Sequence, residues 1–198
     1  MTADRETLNV YGKQAEEYAA LVEDTAKDVH LTRFIAAIPA GGRVLDLGCG
    51  PGLAAAQMAQ ARLEVDATDA VPEMVDMASA AHTGVTAWIA SFDEIAGVDL
   101  YDGIWANFSL LHAPRTAMPG HLAALRAALK PGGTFTIGVK TGTGEKRDGI
   151  GRLYTYYEVA ELTDLLTGAG FAPRQNWTGI TTGMDGVEAP WVVIAADG

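Results

Sequence analysis

Asp46, Asp69, His112 and three glycines at alternate positions, Gly48, Gly50 and Gly52, are the residues of this chain whose types and spacing can do chemistry. The glycines close the run Val44-Leu45-Asp46-Leu47-Gly48-Cys49-Gly50-Pro51-Gly52. That run reads as a buried strand breaking into a tight turn, with a helix-forming stretch from Leu53 to Ala61 behind it. Glycines there let the backbone turn sharply and let a ligand approach where a Cβ would block it. Asp69 stands 17 residues after Gly52, at the end of the next apolar run. A carboxylate so placed can accept both hydroxyls of a ribose, or cap the helix that follows. His112 lies in Phe108-Ser109-Leu110-Leu111-His112-Ala113-Pro114-Arg115. An imidazole titrates near neutrality and can take a proton from a nucleophile; it can equally bond a backbone carbonyl. Cys49, the single cysteine, is a small packing residue or a nucleophile, and it has no internal disulfide partner.

Those residues must be held by elements. Apolar runs alternate with Ala-rich stretches, which argues for a parallel sheet with helices on both faces. Helices are predicted over Thr7–Val22 and Ala26–Ile38, the second stopped by Pro39 and Gly41-Gly42. Strands follow at Arg43–Leu47 and Leu63–Thr68, then a helix over Pro72–Ala81 with proline in its first turn. Further strands are expected at Val85–Ile89, Gly103–Asn107 and Thr134–Val139, with a helix over Pro119–Leu129 before the turn Lys130-Pro131-Gly132-Gly133. A glycine-rich loop spans Lys140 to Arg152, a helix Tyr157–Gly168. Arg174–Thr182 and Trp191–Ala195 then flank Gly183-Met184-Asp185-Gly186 as a β-hairpin.

Two ligand classes suit the glycine turn. A dinucleotide turn has the spacing G-x-G-x-x-G, which this turn lacks, and Asp46 would oppose a phosphate at the helix N-terminus. The nine residues Val44–Gly52 instead resemble motif I of the class I methyltransferases, which use S-adenosyl-L-methionine. That donor carries an ammonium and a sulfonium but no phosphate, so an acid is compatible with it. The resemblance covers about residues 43 to 133 and implies an α/β, Rossmann-like seven-stranded sheet, mostly parallel with a terminal antiparallel hairpin, and helices on both faces. A chain of 198 residues with 48% hydrophobic content fits one domain over 1–198, with 1–40 as an N-terminal helical cap.

The resemblance also distributes roles. Asp46, Gly48, Cys49, Gly50 and Gly52 form the turn that receives the donor. Asp69 takes the ribose hydroxyls, and Ala70 and Val71 line the adenosine pocket. After the third strand the family often shows Gly-Asp-Ala/Phe; here Ala90-Ser91-Phe92-Asp93-Glu94 stands instead. Ser91 therefore takes the place of the acid that bonds the adenine amino group, Phe92 offers its amide to the ring, and Asp93 is the second choice. Tyr101–Asn107 resembles motif IV, with Asn107 near the methionine ammonium and Trp105 in the core. Tyr11 covers the methionine end of the donor, or is ordinary helix packing with Ala15 and Tyr18. Arg33 is a candidate for the donor carboxylate. His112 is the candidate general base. The segment from Arg147 to Tyr157 is similar to small bacterial methyltransferases near the tellurite-resistance and ubiquinone-type branches. In this reading Tyr154, Tyr156 and Tyr157 line the acceptor pocket, and Arg115, Lys140, Arg147 and Arg152 either meet an anionic acceptor or are solvated.

Bulk properties bound the rest. The formal net charge of −11 disfavours a nucleic-acid partner, whose affinity comes largely from Lys and Arg neutralising phosphates. The (Asp/Asn)-Pro-Pro-(Tyr/Phe) signature of nucleic-acid amino-methylating enzymes is missing after the fourth strand. No apolar run reaches the roughly 18 residues that span a bilayer, and Met1–Glu6 is too polar for a signal peptide. The expectation is a cytoplasmic monomer or homodimer with no metal. It transfers a methyl group to a small-molecule O or N atom, or to a thiol or chalcogen oxyanion. The alternative is a non-catalytic protein that binds the donor or its demethylated product.

Overall fold

The computed structural model describes residues 4–23 and 28–198, with the side chain of Glu23 excepted. Seven strands form one sheet: β1 Arg43–Leu47, β2 Glu64–Asp69, β3 Val85–Ile89, β4 Tyr101–Asn107, β5 Leu129–Lys140, β8 Ala172–Thr182 and β9 Glu188–Asp197. Their spatial order is β3-β2-β1-β4-β5-β9-β8. Strands β3 to β5 pair in parallel, while β9 runs antiparallel to both β5 and β8. The chain winds outward from β1 to β3, then returns to place β4 on the other side of β1. Such a reversal opens a crevice beyond the carboxyl ends of the two central strands.

Burial on both faces explains why the central strands read as continuous apolar runs. Val44, Leu45 and Leu47 are at most 1% exposed, and burying each contributes about 1.5–3 kcal/mol. One core gathers Leu45, Leu47, Ile104, Phe135 and Ile137 with helices α6 Met118–Ala128 and α7 Val159–Gly168. The other packs Val44, Val65 and Trp105 against α3 Val29–Ala37 and α4 Leu53–Gln60. Trp105 is a core residue, tilted against Phe34 at 5.4 Å. A small third cluster seats α1 Arg5–Lys13 and α2 Ala15–Glu23 on Val71 and Met74 of the β2–α5 region, where α5 is Pro72–Ala81.

Besides shifts of one to three residues at other element ends, the structure differs from the sequence reading in four places. The first helix is broken at Gln14 into α1 and α2. The start expected for the second helix, Ala26, lies outside the described residues; α3 is capped by the Asp28 carboxylate, which accepts from the His30 and Leu31 amides. Strand β5 begins at Leu129, which pairs with Tyr101, and the segment through Gly132, at φ +73°, is tied to the carboxyl end: Gly132 N donates to Gly198 O and Gly198 N to Gly133 O. The expected glycine-rich loop contains a ribbon, β6 Glu145–Arg147 paired with β7 Leu153–Thr155. Its strands are too short to leave a periodicity of their own.

Candidate functional site

The glycine turn sits at the sheet reversal, and its three glycines answer to three different constraints. A Cβ on Gly48 would lie 2.4 Å from Ser109 Cβ, because this turn packs against the turn that follows β4. A Cβ on Gly52 would lie 2.6 Å from Ala78 Cα, where α4 and α5 touch. Gly50 has φ +52°, and its Cβ would meet nothing nearer than Tyr18 Cε1 at 3.4 Å. Of the three, it is the one whose missing side chain leaves the open floor of a cleft.

That cleft encloses about 670 Å³, its mouth included, and is lined from five directions. Gly48 and Gly50 form the floor; Asp69, Ala70, Val71 and Met74 one wall; Ser91 and Phe92 the far end; Phe108, Ser109 and His112 the opposite wall. Asp4, Thr7, Leu8, Tyr11 and Tyr18 of the amino-terminal helices close the top. Asp69 Oδ2 accepts from Gly50 N at 3.0 Å and Oδ1 from Val71 N at 2.9 Å. The aspartate therefore braces the glycine turn and, through the Val71 amide, the turn that leads into α5, and each oxygen keeps a further lone pair. Burial raises its pKa, against those amide bonds. In a capping box Ser91 donates its hydroxyl to Glu94 Oε2 and accepts from the Glu94 amide, so one lone pair of its oxygen remains. Phe92 stands edge-on to His121 at 5.8 Å.

Several expected site residues stand back from the cleft. Asp46 is 3% exposed beneath the turn; the Ala55 amide donates to it, its Oδ2 has no partner, and burial raises its pKa to about 7. Cys49 is buried, its thiol turned onto Gly50 O at 3.5 Å, and burial pushes its pKa up. A raised thiol pKa removes the thiolate a nucleophile needs. The Gly52 Cα faces α5 rather than the cleft. The Asn107 side chain turns across to Asp28, 3.5 Å away, and against Gly138, so the lining passes to its neighbour Phe108. Phe108 has φ +56°, a conformation no sequence pattern announces. Arg33 lies over Trp177, 4.9 Å from the ring centroid, and does not line the cleft.

His112 does reach the cleft, but in a different state from the one expected. Its Nδ1 lies 2.7 Å from Leu153 O and its Nε2 2.9 Å from Tyr11 Oη. A carbonyl can only accept, so Nδ1 carries the hydrogen and Nε2 accepts from the Tyr11 hydroxyl. Arg152 NH1 donates to the same Tyr11 oxygen at 2.9 Å, and Asp148 neutralises Arg152 through contacts of 2.7 and 2.8 Å. The chain Asp148–Arg152–Tyr11–His112 thus joins the β6–β7 ribbon, α1 and the turn after β4. Burial holds His112 down to about 4, where a solvated imidazole titrates near neutrality. Burial likewise keeps the Tyr11 phenol protonated.

The expected acceptor wall is also rearranged. Tyr157 is fully buried in the core, Tyr154 is buried behind His112, and Tyr156 lines a second cleft. Arg115 is held by Glu161, Tyr156 O and the Tyr157 ring, and Arg147 by Asp4 and Glu6. Arg152 was legible as a cation; that it would be 2% exposed and bonded to Tyr11, 141 positions away, was not.

Residues 44–133 match the family model described as a methyltransferase domain. Over 106 residues the chain is 36% identical to the ubiquinone biosynthesis O-methyltransferase of Xanthomonas axonopodis pv. citri, a match covering 50% of this chain and 43% of that protein. The chain thus aligns with less than half the length of this curated relative. Among solved structures, an S-adenosylmethionine-dependent methyltransferase from Methanosarcina mazei superposes with a TM-score of 0.75 at 15% identity, over 86% of this chain and 97% of that one. The 1,6-didemethyltoxoflavin-N1-methyltransferase of Burkholderia thailandensis, solved with 1,6-didemethyltoxoflavin and S-adenosylhomocysteine, gives 0.71 at 24% identity over 100% and 91%. A TehB-like methyltransferase from Corynebacterium glutamicum gives 0.70 at 18% identity over 93% and 97%.

Proposed function

From the premise that this chain belongs to the class I S-adenosylmethionine-dependent methyltransferases, we propose that it methylates an oxygen or nitrogen atom of a small molecule. The observation that carries the proposal is the bond between Gly50 and Asp69 where the floor of the cleft meets its wall, with the Tyr11–His112 pair joining the top to the opposite wall. The cleft fits the donor on its own terms: a position where a Cβ would intrude, carboxylate lone pairs beside it, and an apolar wall of Val71, Met74 and Phe92. Asp69 would hold the ribose hydroxyls, Gly50 would let the amino-acid end approach the backbone, and Ser91 and Phe92 would meet the adenine. When bound, the donor supplies an activated methyl group for in-line displacement.

The chain's own residues then orient the acceptor and exclude water. Closure by Tyr11 and Tyr18 over Gly50 provides the exclusion. An acceptor hydroxyl or amine must also lose a proton. In this reading the Tyr11 oxygen takes it while passing its own hydrogen to His112 Nε2. Leu153 O keeps Nδ1–H in place throughout, so the ring presents Nε2 in every turnover. The small-molecule class agrees with the O-methyltransferase relatives and with the acidic surface.

Incubating the full chain with labelled S-adenosylmethionine and a panel of phenols, catechols, heteroaromatic amines and thiols tests the proposal. Label transfer to a phenol or amine is the expected result. Tight binding of S-adenosylhomocysteine with no transfer to any of them would favour a donor-sensing protein, and absence of binding would reject the site.

A further inference from the structure

A second cleft opens between the β6–β7 ribbon and the β8–β9 hairpin, and Lys140, at the end of β5, forms its floor. Lys140 is 8% exposed. Its ammonium lies 4.1 Å from the centroid of the Tyr154 ring, which covers one side of it. Among the described residues no carboxylate forms an ion pair with it, although every arginine lining or touching this region has one: Arg147 with Asp4, Arg152 with Asp148. A ring face offers a cation some attraction but accepts no full complement of hydrogen bonds. Asp185 and Asp148 act on its charge from a distance, but neither closes to an ion pair, so its three donors have no anion in contact. Burial lowers the Lys140 pKa against the pull of those two carboxylates.

The walls suit a small polar ligand. Thr141 and Thr143 bring hydroxyls, and Lys146 stands over the Tyr156 ring at 5.1 Å. Asp185 and Glu188 lie on the hairpin side, so the cleft is balanced in charge rather than strongly positive. Asp185 Oδ1 is engaged by Val187 N at 3.2 Å. The site thus offers a directed cation at its base. It is not a diffuse basic patch of the kind that binds polyanions.

We propose that this cleft binds the oxyanion group, carboxylate or phosphate, of a small molecule through the Lys140 ammonium. The site is separate from the donor cleft, and Asp148 borders it while holding Arg152, which in turn holds Tyr11. An occupant would therefore adjoin the chain of contacts that ends at His112.

The test is a titration of the isotopically labelled full chain with inorganic phosphate and with benzoate, followed by amide NMR at constant ionic strength, with sodium chloride as reference. Saturable shifts are expected at Lys140–Thr143 and Asp185–Ala189 with at least one probe. A response to phosphate alone or to benzoate alone assigns the oxyanion. Lys140→Met should weaken that binding by about tenfold or more, a loss equivalent to roughly 1.4 kcal/mol. The proposal is overturned if neither probe saturates, if the shifts in the natural chain fall outside the cleft, or if a folded Lys140→Met binds as tightly. The natural-chain mapping decides the matter even if the variant does not fold. Titrating S-adenosylhomocysteine in parallel separates the two readings, since its failure to bind would reject the methyltransferase reading and leave the phosphate or benzoate result standing.

Discussion

At the residue scale, one turn contains glycines that a sequence alone treats alike and that substitution should separate. Gly50→Val should abolish S-adenosylhomocysteine binding, because the added side chain enters the cleft floor, and should also cost stability, because a β-branched residue is strained at φ +52°. Gly52→Ala should lower stability alone, by about 1–3 kcal/mol from overpacking against Ala78. Calorimetry and chemical denaturation on both variants distinguish the two; a Gly50→Val protein that binds normally would refute the floor. Asp69→Ala should weaken S-adenosylhomocysteine binding by about 2–4 kcal/mol, through lost hydrogen bonds to a charged acceptor and a loosened turn. The His112 pair gives a kinetic prediction. His112→Gln should preserve donor affinity and lower turnover by about 10²-fold, and Tyr11→Phe should do the same if the hydroxyl relays the proton. With burial holding the imidazole near 4, the base is unprotonated above that pH and charged below it. Activity should therefore fall as pH drops through about 4, with no limb at neutrality from this residue. A limb near 6.5 that disappears in His112→Gln would contradict this assignment.

At the element scale, the β6–β7 ribbon and α1 act as one cover. Leu153 N donates to Thr7 Oγ1, Arg147 reaches Asp4, and Arg152 reaches Tyr11. The surface pair contributes little, since an ion pair that water reaches is worth about 0–1 kcal/mol. The buried Arg152–Asp148 pair is another matter, with side chains only 2% and 3% exposed. Arg152→Met removes one partner and leaves a buried carboxylate, a change that typically costs about 3–5 kcal/mol. Denaturant unfolding should show that loss, and hydrogen exchange should show faster opening of α1. Arg152→Met as stable as the natural chain, with α1 equally protected, would mean that the cover is held by packing on Val71 and Met74 alone.

At the scale of the whole molecule, two buried groups give opposite slopes to the dependence of stability on pH. Asp46 titrates near 7 in the fold and near 4 when unfolded, so between those values the folded state binds the extra proton. Its contribution is present below the unfolded pKa and is lost as pH rises through about 7. His112 titrates near 4 in the fold and near 6.5 unfolded, so its contribution grows as pH rises across that window. The two largely offset one another between pH 4 and 6.5. Asp46→Asn removes the falling slope. Relative to the natural chain it should gain stability between pH 5 and 8, on the order of 3 kcal/mol at 1.36 kcal/mol per pKa unit. Urea unfolding at the two pH values checks this, and parallel curves for the two proteins would sink it.

The sequence by itself determined the parts whose information is local or periodic. Arg43–Leu47, Pro72–Ala81 and Val85–Ile89 have the same bounds in the structure as in the sequence, since runs of apolar side chains, an early proline and a turn set them residue by residue. The seven-stranded sheet with its terminal antiparallel pair and the place of Asp69 beside the glycine turn followed from the family resemblance that the sequence motifs carry. Tertiary structure alone decided what each polar residue faces. Gly52 went to helix packing, the Asn107 side chain to Asp28, Asp46 to the interior, and Tyr154 and Tyr157 to the core, because a side chain's surroundings come from elements distant in the chain. It also decided the state of His112. Its carbonyl partner lies 41 positions away and its hydroxyl partner 101; their bonds set the tautomer, while burial lowers the pKa against the Leu153 bond.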